Sequence, residues 1–232
     1  MKKEVIFRIL TLFLLANTAP AQAALLVHQF YDTVRLDQGA GSSPEQTAFS
    51  IPLFDPALGG LDGITIELKT AFTSETFMRV TSATTDVVFE YQARNVVDAS
   101  FAGITNPPED MVAEDNRPLQ SVTKPLAADV TADFTDEGGA IASITVDPAT
   151  LSDYLGMGSW DATLTMSDDS LYNARKPSGG IYLFTLTRDM ITNVTLTVSY
   201  AYTPVVVPLP GAVWLFGSGL LLLPGRGPHR RA

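Results

Sequence analysis

Ile64-Thr65-Ile66-Glu67-Leu68-Lys69 decides the fold class of this chain. Successive side chains of an extended backbone point to opposite faces, so Ile64, Ile66 and Leu68 share one side and Thr65, Glu67 and Lys69 the other. That alternation predicts a strand with one face buried and one in water. The same period of two recurs on both sides. Phe49, Ile51 and Leu53 alternate with Ala48, Ser50 and Pro52. Val87, Phe89 and Tyr91 alternate with Val88, Glu90 and Gln92, and Ile144 and Val146 flank Thr145. Trp160, Ala162, Leu164 and Met166 alternate with Asp161, Thr163 and Thr165. Tyr182 to Thr187 is a further candidate, and Val194, Leu196, Val198, Tyr200 and Tyr202 form the last. Abundant Thr and aromatic residues suit a half-buried sheet. Long helical periodicity is absent; Leu151 to Leu155 suggests one helical turn. The expectation is an all-β body, an antiparallel β-sandwich over residues 24–204.

Turn chemistry sets the connections. Asp55-Pro56-Ala57-Leu58-Gly59-Gly60 separates two strands and is expected to pair them as neighbours. Asn106 to Pro125 holds four prolines together with Glu109, Asp110, Glu114 and Asp115, and reads as a long exposed loop. Asp168-Asp169 reads as a turn.

The two ends read as addresses. Lys2, Lys3 and Arg8 precede an apolar run from Ile9 to Ala16, and Ala21-Gln22-Ala23 offers small residues to a signal peptidase. Residues 1–23 are thus a secretory signal, with cleavage expected after Ala23 to leave Ala24 first. At the other end, residues 205–232 open on Val207-Pro208-Leu209-Pro210, and Gly211 to Leu223 is apolar or small apart from Ser218. Val205 to Gly225 is 21 residues, close to the length a bilayer-spanning helix needs. Trp214 suits the membrane interface, and Arg226, Arg230 and Arg231 would remain cytoplasmic. The plainer alternative is an apolar tail packed on the body.

Composition limits the chemistry. The chain has 232 residues, no cysteine and two histidines, His28 and His229. Thiol chemistry, Cys-ligated zinc and iron–sulfur clusters are excluded. The whole chain carries a net charge of −10. Setting aside Lys2, Lys3, Arg8, Arg226, Arg230, Arg231 and Glu4 leaves 9 basic and 24 acidic residues in the body, a balance of −15. Such a body repels phosphate backbones, which argues against nucleic acid.

No catalytic set is legible. A Ser–His–acid site needs a histidine beside a nucleophile, and the body has only His28, between Val27 and Gln29 near its start. Glu90 lies between Phe89 and Tyr91, but alternation turns it to the face opposite those rings. Calcium is the ionic ligand the composition suits best, with Asp133, Asp136 and Glu137 beside Gly138-Gly139 as oxygen donors. The spacing is not that of an EF-hand, and a solvated hairpin tip is the plainer reading. Trp160, Tyr154, Tyr172 and Tyr182 are the aromatics to inspect for a sugar platform.

Two stretches carry a family likeness. Val207-Pro208-Leu209-Pro210, the apolar run and the arginine-rich end resemble a PEP-CTERM sorting signal, the type handled by exosortases of Gram-negative bacteria. It departs from that pattern in having Leu209 where Glu is commonest, and in ending its apolar run early, at Pro224. Phe54-Asp55-Pro56-Ala57-Leu58-Gly59, Leu61 to Leu68, and Val194 to Tyr202 resemble the choice-of-anchor E domains of bacterial surface proteins. The likeness implies export, transient anchoring in the inner membrane, processing near Pro208–Pro210 by a membrane transpeptidase, and release to the cell surface or matrix. It supplies no catalytic residues. The expected role is therefore a non-enzymatic structural or adhesive protein, with extracellular polysaccharide as a partner to consider. A carbohydrate-binding module is the alternative, and a glycan-active enzyme a third reading.

Overall fold

The computed structural model describes residues 23–37 and 44–205. These residues form antiparallel β-sheets throughout. The strands among them are β1 (Ala24–Asp37), β2 (Glu45–Pro52), β3 (Gly59–Thr81), β4 (Val87–Gln92), β5 (Arg94–Ala102), β6 (Met111–Asn116), β7 (Gln120–Lys124), β8 (Asp129–Gly138), β9 (Ile141–Thr145), β10 (Ser159–Asp168), β11 (Leu171–Arg175) and β12 (Thr185–Pro204).

Ile64 to Lys69 belongs to β3, a far longer strand than those six residues. Buried and exposed positions alternate without interruption from Ile64 to Thr81. β12 pairs with it from Pro204–Gly59 to Thr185–Arg79, with one register shift at Ala201/Tyr202. β1 flanks β12, while β8 and β9 share the far side of β3, which completes a five-stranded sheet.

Two smaller sheets form the facing layer, in the orders β2-β10-β5-β6 and β11-β4-β7. Three of their strands are broken along one line. β4 continues into β5 through Ala93, β6 into β7 through Arg117 to Leu119, and β10 into β11 through Asp169 and Ser170. The order β10-β5-β6 thus reappears as β11-β4-β7. Arg117 N donates to Ala93 O at 2.9 Å and Asp169 N to Arg94 O at 3.1 Å, so backbone bonding continues beside this seam.

The core fills the space between the layers. Phe30 of β1 meets Phe49 of β2 with ring centroids 5.4 Å apart. Trp160 Nε1 donates to Tyr200 Oη at 3.2 Å, and Tyr200 Oη donates to Pro52 O at 2.7 Å. Both rings are fully buried, and their polar tips have found partners as large buried aromatics must. Burial pushes the Tyr200 phenol up to about 12, so it stays neutral. Past the seam, Tyr91 and Ser74 share a hydrogen bond of 2.7 Å, and the Tyr91 ring packs on Phe134. One long strand pair therefore backs both smaller sheets.

Several local expectations are corrected. β2 does not pair with β3; its partner is β10. The chain after Pro52 crosses between layers, held by Leu53 N to Gly158 O at 3.0 Å and Phe54 N to Tyr154 O at 2.8 Å. Phe54 is fully buried against Tyr200 and Tyr202, so the crossing is anchored by an apolar side chain. The turn itself forms, with Asp55 Oδ1 accepting from Ala57 N at 2.8 Å. Gly59 is needed there, because a Cβ would lie 2.0 Å from the Thr203 carbonyl oxygen. Asn106 to Pro125 is not one loop, since it contains β6 and β7. Met111 and Ala113 are buried, and the prolines lie outside both strands, where no ladder donor is lost. Asp133 to Gly138 lies in β8, not in a turn. Tyr182 precedes β12, which starts at Thr185. The helical turn forms as a 3₁₀ helix, Pro148–Tyr154, capped by Asp147.

β1 begins at Ala24, the residue expected first after signal cleavage. Ala24 pairs with Tyr202, and Pro204 lies against Gly59, so the start of β1 and the end of β12 lie at one pole. Ala21 and the other residues of the expected signal before Ala23 lie outside the described residues. So do Val207, Pro208, Leu209, Pro210, Arg226, Arg230 and Arg231. No helix among the described residues is long and apolar enough to cross a membrane.

Truncating Trp160 to Ala should cost about 3–5 kcal/mol, as removal of a large core aromatic does. Tyr200→Phe should cost about 1–3 kcal/mol, because the Trp160 donor and the Pro52 carbonyl both lose a partner. Urea denaturation of both variants measures this.

Candidate functional site

Beneath the seam lies a cluster of buried polar groups. Arg188 of β12 is ion-paired with Asp168, the last residue of β10, and their side chains are 4% and 2% exposed. The guanidinium also donates to Tyr172 Oη, and Tyr172 Oη donates to Asp168 Oδ2 at 3.2 Å. Ser170 donates to Asp168 Oδ1 through both its backbone N, at 3.0 Å, and its hydroxyl. Burial pulls the Arg188 guanidinium below its ordinary value, but an arginine this basic stays charged. Burial also drives the Tyr172 phenol upward, which keeps it a donor to Asp168. Next to them Asn95 Nδ2 donates to Thr192 Oγ1 at 2.8 Å. Where the ladder is interrupted, side chains from both layers thus close the gap. These bonds tie β12 of the larger sheet to β10 and β11 of the smaller ones.

The outer face of the five-stranded sheet offers the accessible surface. Its outward positions on β3, β8 and β12 are rich in threonine, including Thr65, Thr73, Thr131, Thr135, Thr187 and Thr195. Two shallow hollows mark it. One of about 630 Å³ surrounds Phe77 and is edged by Glu75, Asp133 and the Arg35–Asp189 ion pair. The other, about 350 Å³, surrounds Tyr31 with Gln29, Lys69, Asn193 and Thr195. Tyr31 is 49% exposed and Phe77 37%. Tyr31 Oη donates to Gln29 Oε1 at 2.8 Å, which holds the ring along the sheet. Thr33 Oγ1 donates to Asn193 Oδ1 at 2.8 Å beside it.

The residues singled out from sequence have other duties. Asp133 and Glu137 face outward on β8 while Asp136 points to the other side, so alternation separates the three calcium candidates. Asp136 instead accepts from Arg117 Nε at 3.3 Å and from Gln120 Nε2 at 3.1 Å. Among the described residues no group of three or more His, Cys, Asp or Glu side chains could hold a metal ion. Glu90 does turn away from the buried Phe89 and Tyr91, and it pairs with Arg175 at 2.8 Å and Asn173 at 2.9 Å. The bond from Arg175 lowers its carboxyl below the ordinary value, the reverse of what a glycosidic general acid needs. His28 is half-buried, edge-on to Tyr200, and burial lowers its basicity.

The expected sugar platform is also corrected. Trp160 and Tyr154 are fully buried, Tyr182 nearly so, and Tyr172 stacks on Tyr91. These rings lie in or against the core, because each sits at an inward position or is tethered through its hydroxyl. Among the described residues, the exposed aromatics are Tyr31 and Phe77. Their signal in the sequence was an aromatic at the outward parity of a strand, in step with Gln29 and Thr33 or with Glu75 and Arg79.

Tyr182 has unusual surroundings. Thr84 N at 3.1 Å and Thr85 N at 2.9 Å both donate to its Oη. Burial raises the phenol, but the bonds from Thr84 and Thr85 outweigh it and bring the pKa down to about 8.

No family model matches the chain, and no curated protein matches it. Among solved structures, a chain in the structure of infectious bursal disease virus Gx strain is 10% identical, with a TM-score of 0.28, over 84% of this chain and 43% of that one. A chain of the T13 infectious bursal disease virus particle gives 10% identity and a TM-score of 0.27, over 78% and 36%. The Gt strain gives 10% and 0.26, over 93% and 53%. This chain thus spans about half or less of those it matches, and a likeness of that strength bears on neither topology nor role.

Arg188→Met leaves Asp168 charged and unpaired in the core and should cost about 3–5 kcal/mol, whereas adding Asp168→Leu should recover most of the loss. Chemical denaturation checks this; a single-variant loss below about 1 kcal/mol, typical of surface pairs, would contradict the seam account. For Tyr182 the folded pKa lies below the ordinary 10.0, so its phenolate adds stability fully above pH 10 and loses it as pH falls through about 8. Ultraviolet titration should show one phenol ionising near pH 8, and Tyr182→Phe should remove that step.

Proposed function

We propose that this chain is an exported bacterial surface or extracellular-matrix protein, a β-sandwich body sorted by an exosortase-type transpeptidase. A signal peptidase removes residues 1–23, and residues 205–232 hold the body transiently in the inner membrane. One observation carries this reading: the Val207-Pro208-Leu209-Pro210 motif, the apolar run and the terminal arginines follow one another in sorting order. The pairing of Ala24 with Tyr202 supports it, because a body whose ends meet at one pole can be tethered at either end and project the same way. The absence of cysteine and the acidic composition fit an exported domain stabilised by its core alone. The role is structural or adhesive, with no catalytic step and no nucleic-acid partner. The solvent-facing aromatics of the five-stranded sheet favour a carbohydrate-binding capacity within that role.

Deleting Val207 to Ala232 should abolish surface delivery. Cell fractionation with an antibody to the body tests this. The full-length protein should pass through the inner membrane to the surface fraction, and the truncated one should accumulate elsewhere. Identical distributions would refute the sorting role.

A further inference from the structure

We infer that the outer face of the five-stranded sheet binds an extended, neutral polysaccharide, with the Tyr31 ring as its stacking platform. This rests on the surface role proposed above and names its partner class.

Three features of the face converge on that ligand. Sugars present C–H groups on their ring faces and hydroxyls at their edges. A receptor therefore needs an exposed aromatic ring flanked by side chains that both donate and accept. Tyr31 supplies the ring, and Gln29, Asn193 and Thr195 supply amide and hydroxyl groups around it. Its tilt is set by the bond to Gln29, so little ordering is lost on binding.

Shape gives the second argument. Tyr31 pairs with Thr195, and Thr195 with Lys69, so the ring lies two strands across from Lys69. Phe77 is eight residues further along β3. At about 3.4 Å per residue and about 4.8 Å between strands, the two aromatics are roughly 29 Å apart. That spacing suits several linked sugar rings rather than one small molecule. The hollows are shallow and open, as a polymer lying across a sheet requires.

Charge gives the third. A body carrying −15 discourages a polyanion. Around Tyr31, Lys69 and Glu67 oppose one another, which leaves a locally neutral patch on an acidic protein. The threonine-rich surroundings are too polar for the apolar centre of a stable protein interface.

The test is affinity electrophoresis of the full chain in mild detergent, in native gels containing hydroxyethylcellulose, xylan or galactomannan, with polygalacturonate as the anionic polymer. At least one neutral polymer should retard the protein. Tyr31→Ala should weaken that retardation about two- to tenfold, the loss of one stacking contact. Tyr31→Phe should keep most of it, because the ring remains although the bond that sets its tilt is lost, and Phe77→Ser should reduce it less than Tyr31→Ala does. An unchanged circular dichroism spectrum confirms that each variant is folded. No retardation by any neutral polymer, retardation by polygalacturonate alone, or wild-type behaviour of Tyr31→Ala would overturn the inference. Binding is read from purified protein and sorting from cell fractions, so either can fail without the other.

Discussion

The antiparallel ladder between β3 and β12 is the constraint on which the other elements depend. Every second residue of each strand faces inward, so a single register sets which side chains meet the core along nearly the full length of both strands. A slip of one residue would expose Ile64, Ile66, Leu68 and Met78 together and bury Glu67, Lys69 and Glu75. No alternative pairing is comparably cheap, which gives the sheet one solution. The ladder also decides where the ends go. Because β1 joins β12 antiparallel, the start of β1 and the end of β12 lie side by side.

Such length creates its own difficulty. The facing layer is too short in any one sheet to cover β3 and β12, and it is built from two sheets meeting at the seam. Interrupting three strands there exposes backbone and removes ladder bonds. The chain answers with polar side chains turned inward from both layers, Ser74 to Tyr91, Thr192 to Asn95 and Arg188 to Asp168 and Tyr172. A buried pair of this kind adds little net stability but penalises any packing that separates its members. Its value is then in locking the two smaller sheets to one position on the larger one.

That device explains what the sequence showed and what it hid. Where β3 lies over apolar neighbours, Ile64 to Lys69 alternates cleanly and reads as a strand at sight. Past the seam its inward positions are Thr70, Phe72, Ser74, Thr76, Met78 and Val80, and the polar members erase the contrast. β12 was legible from Val194 onward for the same reason, whereas Arg188 and Thr192 masked its first half. β6 was hidden by the prolines on either side of it, although Met111 and Ala113 kept the period. Pairing was less legible still. Nothing local in Asp55 to Gly60 says whether the turn closes a hairpin or crosses between layers; buried Phe54 decides it. The candidate surface was missed because aromatics were sought at inward positions, where tyrosine and tryptophan serve the core. The calcium reading failed on parity, since a strand cannot bring adjacent acidic residues to one face.

A continuous core, with the start of β1 and the end of β12 at one pole and a broad polar face, fits the surface role proposed above. In that role, both terminal segments are removed during delivery and the ladder is what remains outside the cell. The most direct measurement is the intact mass of the protein recovered from the producing cell's surface. The expected product starts at Ala24 and lacks residues 211–232. A product of 24.9 kDa retaining Met1 and Ala232 would contradict it.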